Sequence, residues 1–275
     1  MGKIKCVIFD VGDTLLNRTE AGEKARASSP EIKILKKHGF KFSKQQVKKA
    51  FDSMNKKTKN LPSTVRLKDK TIYARTFMQE LGLKPSKKLA WECEKNLYAE
   101  VRKHMKLMPH ARSILKFLKK KKVMLCVISN TRTGSNLKAA KKLGIRKYFK
   151  HFIMTHEFGS IKSELRVFKH ALERINKNRK QKILPKECLM VGNDVQEDGA
   201  AKLVGMKTAI LKPTMHKKQH LKRLKPDFLL NDLREVKRII ETKLGTTRQK
   251  FLQKIQQERM KDLWNNGKDK EWEKS

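Results

Sequence analysis

The chain has 275 residues, with 68 Lys and Arg against 27 Asp and Glu, a formal net charge of +41. Hydrophobic residues make up 38% and gather in short runs between turn residues, which excludes a disordered chain. The longest uninterrupted apolar run, at 123–128, is far below the roughly 20 residues needed to cross a bilayer, which excludes a helical membrane span.

The opening residues, Met1-Gly2-Lys3-Ile4-Lys5-Cys6, carry no long apolar segment of the secretory type. Cys6, Cys126 and Cys188 each lie inside an apolar run, and no CxxC pair occurs. We therefore expect a reducing, cytoplasmic setting in which the cysteines act as small core hydrophobes.

The first strand is expected at Cys6–Phe9. Residues 17–107 then show no strand pattern but several capped amphipathic helices. Ser29-Pro30 opens one that Gly39 closes. Ser43 and Gln46 have capping-box spacing ahead of Val47, Ala50, Phe51 and Met54, which share one helical face. Tyr73, Phe77 and Leu81 mark a third helix ending at Gly82, and Ser86 starts a fourth through Leu89, Cys93, Leu97 and Val101. From residue 108 strands and helices alternate. A helix on Ala111, Ile114, Leu115 and Leu118 leads to a strand at 123–128, and a helix on Leu137, Ala140 and Leu143, closed by Gly144, leads to a strand at 152–154. A helix on Leu165, Phe168, Leu172 and Ile175 precedes strands at 188–191, 208–211 and Phe228–Leu230, with a last helix within 231–244. Such alternation specifies a mainly parallel sheet covered on both faces. The expected architecture is a doubly wound, Rossmann-like α/β core at 1–16 and 108–244, an inserted all-helical cap at 17–107, and a basic helical tail at 245–275.

Ligands bind at the carboxyl ends of the strands in such sheets. The first strand runs into Asp10, Gly12, Asp13 and Thr14, the second into Ser129 and Asn130, and the fourth into Asn193, Asp194, Glu197 and Asp198; Lys162 follows the third. Carboxylates at two strand ends suit a hard cation such as Mg²⁺, which takes oxygen ligands and keeps waters that a phosphate replaces. Ser129 and Lys162 are placed to hydrogen-bond and neutralise phosphoryl oxygens. Asp10 then faces phosphorus as a nucleophile.

In these four segments, taken in order and strand context, the chain resembles the haloacid dehalogenase superfamily, in the subgroup with a helical cap after the first strand. The resemblance covers about 3–230 and rests on Val-Ile-Phe-Asp10-Val-Gly-Asp-Thr14, the strand ending in Ser129, Lys162 leading into a helix, and the acidic pair Asp194 and Asp198. It implies that Asp10 forms a covalent aspartyl intermediate, that Thr14, Ser129 and Asn130 bind phosphate, and that Lys162 steadies the transferred group. It further implies Mg²⁺ held by Asp10, the Gly12 carbonyl and Asp194, with Asp198 in support. The implied activity is a Mg²⁺-dependent phosphatase of a small phosphorylated metabolite.

Two positions depart from the family pattern. Gly12 stands where its phosphatases usually carry a second Asp, the acid that protonates the leaving group, and Ser163 stands where Pro is common. Asp13, next in sequence, and Glu157, shortly before Lys162, are the first acids to test for the vacant role, although Asp13 also suits a turn into the cap and Glu157 a solvated loop. In the fourth segment Asn193 stands where the longer family spacing puts the first acid. The alternatives are a dehalogenase, in which Asp10 attacks carbon without a metal, and a basic nucleic-acid-binding member of the fold, since a charge of +41 attracts nucleic acid by counterion release whatever the architecture. Selectivity is expected from the cap, with Asn17, Arg18, Lys56 and Arg66 as candidates to face the site. His110, His151, His156 and His170 show no metal-binding spacing.

Overall fold

The protein is described from a computed structural model over residues 3–242, apart from 60, 63, 64, 66, 67, 132, 133, 158 and 213–217, together with Ile255 and Glu258. Arg66 and, but for those two residues, the tail expected at 245–275 therefore lie outside the described residues.

Six parallel strands form one sheet: β1 (Cys6–Phe9), β2 (Met124–Ser129), β3 (His151–Met154), β4 (Cys188–Gly192), β5 (Lys207–Leu211) and β6 (Phe228–Leu230), in the order β3-β2-β1-β4-β5-β6. Each lies within one residue of its expected place at either end. Alternate residues of the central strands feed opposite layers, as the strand period of two requires. Val7, Phe9, Leu125, Val127, Leu189 and Val191 face one apolar cluster, and Cys6, Ile8, Cys126, Ile128, Cys188 and Met190 face the other. All four cysteines are free and buried, as expected of core residues. The chain steps from β1 outward to β3 and returns across β1 to β4, so the order reverses at β1 and β4, where doubly wound sheets open a crevice.

Between β1 and β2 the chain builds α1 (Arg18–Ala27), α2 (Pro30–Lys37), α3 (Lys44–Lys59), α4 (Ile72–Glu80) and α5 (Lys87–His104), then the core helix α6 (Ala111–Lys120). The capping box is made: the Gln46 amide N–H donates to Ser43 Oγ at 3.2 Å, and the Ser43 N–H donates to Gln46 Oε1 at 2.8 Å. Ser86 Oγ caps α5 by accepting from the Leu89 N–H at 3.1 Å. Leu35, Met54, Phe77, Met78, Ala90 and Cys93 form a separate apolar cluster, in which the Phe51 and Phe77 rings stack 4.2 Å apart.

Helix α1 has no apolar stripe in the sequence. It buries Ala21, Gly22 and Ala25, small residues that let it lie close to α5. Ala21, Ala25 and the end of α5, Leu97 and Val101, join the core cluster rather than the helical one. Asn17 sits where the chain leaves the core and Lys106 where it returns; the Asn17 N–H donates to the Lys106 carbonyl at 3.1 Å, and the Lys106 N–H to Asn17 Oδ1 at 2.6 Å. Asn17 therefore ties the two crossings and does not line the cleft described below.

After β2 come α7 (Ser135–Lys142) and, before β4, α8 (Arg166–Asn176). Leu165, expected on the buried stripe of α8, is 36% exposed; Val167, Phe168, Ala171 and Ile175 make the buried face instead. Residues Gly199–Val204 form a 3-10 helix, and α9 (Lys218–Leu224) and α10 (Glu235–Glu241) complete the core.

The helical cluster also buries Glu31 of α2 against Glu94 of α5, and Glu31 Oε2 has no hydrogen-bond partner among the described residues. Burial pushes the Glu31 carboxyl up from the usual range to about 7, Glu94 adds to the rise, and Arg26 opposes it. A carboxyl whose pKa is raised in the folded state contributes stability that is full below about 4.5 and lost progressively up to about 7, a few kcal/mol here. The melting temperature of Glu31→Gln relative to the parent should therefore rise between pH 5 and pH 8. A constant offset between the two melting curves across that range would refute the ionisation.

Candidate active site

The carboxyl ends of β1, β2 and β4 and the turn after β3 meet in one place. Asp10 leaves β1 with its N–H on the Val191 carbonyl of β4 at 2.9 Å, and the chain then folds back, Leu15 and Leu16 both donating to the Val11 carbonyl. Asp13 adopts a left-handed backbone (φ 55°), and its carboxylate accepts the N–H and hydroxyl of Thr19 at 2.9 and 2.6 Å. Asp13 thus starts α1 and points away from Asp10.

Lys162 organises the floor. Its ammonium donates to Asp10 Oδ1 and to Asp198 Oδ1, each at 2.6 Å, and lies 4.0 Å from Glu197 Oε2. The side chain is fully buried; burial alone would depress its pKa, but the charges of Asp10 and Asp198 outweigh that and raise it, so Lys162 is a fixed cation. Asp198 uses both oxygens, since Oδ2 accepts the N–H groups of Asn193 and Asp194 at 3.1 and 3.0 Å. A side chain at position 192 would put its Cβ 2.0 Å from Asp198 Oδ2, so this approach requires glycine there. Asp198 is saturated by the protein and positions Lys162 and the β4 loop.

The other expected residues divide between the cleft and its supports. Ser129 is the last residue of β2, and its hydroxyl accepts from Asn136 Nδ2 of α7 at 2.9 Å. Asn130 Oδ1 accepts the Lys162 N–H and the Thr155 hydroxyl, both at 3.1 Å, fixing the third turn to the second. Thr14 is buried and donates to Asn193 Oδ1 at 3.2 Å, so its hydroxyl braces two strand-end loops from behind. Asp194 is exposed, lines the cleft, and accepts the Glu197 N–H at 2.8 Å. Glu157 lies elsewhere, 42% exposed and 3.9 Å from Arg174.

These groups open onto a cleft of about 400 Å³. Its core side includes Asp10, Gly12, Ser129, Lys162, Asp194 and Glu197, and its helical side Arg18, Arg26, Tyr73, Leu97 and Tyr98. Of the residues within 17–107 expected to face the site, Arg18 does so and Lys56 is not among the lining residues. The sequence named Glu197 at the end of the fourth strand without a role, and Asn136 was passed over. Glu197 immediately precedes Asp198, and burial raises its carboxyl pKa, reinforced by Asp194 and Asp10 and opposed by Lys162. Asn136 stands in the first turn after the Ser129 loop, the one signal that placed it near the site.

Whether a divalent cation suits this floor follows from its charges. One ammonium faces the carboxylates of Asp10 and Asp198, with Asp194 and Glu197 close by, which leaves uncompensated negative charge; burial and Asp10 push the Asp198 carboxyl up to about 7 against the pull of Lys162. No cluster of three or more His, Cys, Asp or Glu in ligating geometry occurs among the described residues. A hard cation that keeps most of its waters needs only one or two carboxylates. The oxygen donors Asp10, the Gly12 carbonyl and Asp194 fit such an ion chemically.

A family model described as haloacid dehalogenase-like hydrolase matches residues 4–205. Two curated relatives are both glyceraldehyde 3-phosphate phosphatases. That of Pyrococcus furiosus is 24% identical over 90% of this chain and 98% of its own length, and that of Methanothermobacter thermautotrophicus is 25% identical over 71% and 79%. Among solved structures, a magnesium-bound HAD-hydrolase from Bacillus subtilis superposes with a TM-score of 0.65 at 16% identity, over 88% of this chain and all of its own. A 2-haloacid dehalogenase from Pseudomonas syringae gives 0.63 at 20% identity, over 86% and 98%.

Proposed function

Because the chain belongs to the haloacid dehalogenase-like hydrolases, we propose that it is a phosphatase that cleaves a small phosphorylated metabolite through an aspartyl-phosphate on Asp10. The observation that carries this reading is Asp10 itself, held at the end of β1 by a buried ammonium on Oδ1 and presented to the cleft. The phosphatases among the relatives point the same way. In this reading residues 17–107 act as the cap.

The residues divide the work as follows. Asp10 attacks phosphorus with the oxygen that Lys162 does not hold, the bond from phosphorus to the leaving oxygen breaks, and the substrate alcohol departs with a proton. Water then attacks phosphorus, loses a proton, and frees Asp10 as inorganic phosphate leaves. Lys162 fixes the nucleophile's rotamer and offsets the charge on the transferred group. Ser129, oriented by Asn136, and the Asn130 side chain are the polar contacts for phosphoryl oxygens. Asp10, the Gly12 carbonyl and Asp194 would hold Mg²⁺, which supplies charge neutralisation for the phosphoryl group when bound. Gly12 offers no side chain to give and take the proton, which therefore passes to and from solvent water; Glu197, also on the cleft wall, is the carboxyl to test in that role. Arg18 and Arg26, on the helical side, meet whatever part of the substrate lies beyond the phosphate.

The test is phosphate release from a panel of phosphorylated metabolites with and without a chelator. Hydrolysis of at least one phosphoester that stops with chelator and returns with Mg²⁺ is expected. Release of halide from a 2-haloacid that persists in chelator, with no phosphate release, would assign the dehalogenase reading instead.

A further inference from the structure

The two lysine runs that the active site leaves unused, 119–122 and 177–182, are brought by the topology to the same end of the molecule. Helices of a parallel α/β sheet run back against the strands, so every turn from helix to strand falls at the end remote from the cleft. The run 119–122 enters β2, 142–150 enters β3 and 177–186 enters β4. The register places them in a row: Lys5, just before β1, accepts the Met124 N–H of β2 at 3.0 Å and donates to the Glu187 carbonyl ahead of β4 at 2.8 Å, while the Lys150 N–H donates to the Leu125 carbonyl at 2.8 Å. These entries sit on four adjacent strands, β3-β2-β1-β4, roughly 5 Å apart.

The charge on this row is one-sided. The three turns hold 13 Lys and Arg and no Asp or Glu, and Glu187, the residue after the third, pairs with Lys5 at 2.7 Å. From Val101 to His156 the sequence has 16 Lys and Arg and no Asp or Glu. From neighbouring elements, Glu241 of α10 reaches Lys121 at 3.8 Å. Lysines in a last helical turn offset the helix dipole, which accounts for Lys119, Lys120, Lys141 and Lys142. That effect fades within a turn and does not account for Lys121, Lys122, Lys147, Lys150, Lys180 and Lys182, all exposed.

We propose that this basal row is a docking surface for the phosphate backbone of a nucleic-acid duplex, at the opposite end of the core from the hydrolytic cleft. Lysine dominates it, and lysine contacts phosphate as a point charge without the forked geometry that reads bases. The half-buried rings nearby are covered by the protein's own cations, Lys147 over Tyr148 and Arg146 over Phe152, so this face offers no stacking platform for the bases of a single strand. The row is rigid, since it is anchored by strand ends, and suits a surface of regularly spaced charges.

The experiment measures binding of the whole protein to a labelled 20-base-pair duplex of mixed sequence across a salt series, beside its single strand and vesicles rich in anionic lipid. Two variants remove four charges each: K120Q/K121Q/K150Q/K180Q at the base and K44Q/K48Q/K56Q/K88Q on the helical domain. Each phosphate contact contributes about 0.9 to the slope of log affinity against log salt. The basal variant should bind at least tenfold more weakly with a slope smaller by about 3 to 4, while the other changes less than threefold. In the parent, duplex should protect Lys120, Lys150 and Lys180 from acetylation and leave Lys44 and Lys88 reactive, a readout independent of any variant's folding. Equal weakening by both variants would show attraction by overall charge alone and overturn the proposal. So would binding to the single strand or to the vesicles at least as tight as to the duplex.

Discussion

Asp10→Asn should lower phosphate release by about 10⁴- to 10⁶-fold, the range that losing the nucleophile or a group acting with it costs in hydrolases working through a covalent intermediate. The amide matches the carboxylate in size, and its oxygen can keep the 2.6 Å hydrogen bond from Lys162, so the buried cation retains a partner. Lys162 also keeps Asp198, whose 2.6 Å bond is independent of the change. One negative charge is removed from a floor that carries an excess of it, so the melting temperature should stay level or rise. Steady-state assays paired with thermal melts decide the matter. Residual turnover above a few per cent with an unchanged melt would mean that Asp10 is not the nucleophile, and that water attacks the substrate directly.

Much of this arrangement was legible in the sequence because it is written in short local signals. The strands are largely apolar runs of three to six residues, and the segments that follow them carry the acids, the serine and the lysine. The capping box at Ser43 and Gln46 and the cap at Ser86 are likewise local and appear where expected. Features that depend on residues distant in sequence were not legible. Helix α1 packs by small residues, which leave no apolar period to read, and Leu165 has the right spacing for the buried face of α8 but stands just ahead of its first turn. The division of labour among the acids is of the same kind. Residue type alone does not separate Asp194 from Asp198, and only the family resemblance gave them different roles; in the structure Asp198 is closed off by Lys162 and two backbone N–H groups while Asp194 is exposed, a difference set by the turn that follows Gly192. Thr14 likewise reads as a phosphate ligand, but the return of the chain at Leu15 and Leu16 turns its hydroxyl toward Asn193. Glu197 was given no role because nothing in its segment shows that the loop carries it to the wall of the cleft.

The vacancy at Gly12 sets the largest expected gain of function. A general acid or base in this position contributes about 10² to 10⁴ in rate, chiefly in the second step, where water must lose a proton to attack the aspartyl-phosphate. With an aryl phosphate, whose leaving group departs without protonation, the parent should release a burst of product and then turn over slowly. Gly12→Asp should abolish the burst and raise the steady rate by about that factor. The backbone accepts the change: a Cβ at Gly12 meets only Arg18, at 3.5 Å from its Cβ and 3.7 Å from its Cγ, ordinary contacts with a side chain that can shift. The new carboxylate would stand beside Arg18 on the cleft wall, within a site that already holds the nucleophile in place. Rapid-quench traces of parent and variant test this directly. Absence of a burst in the parent would mean that a base is already present. Glu197, the carboxyl on the cleft wall whose oxygens the floor does not saturate, is then the group in question, and its replacement by Gln should create the burst that Gly12 alone did not.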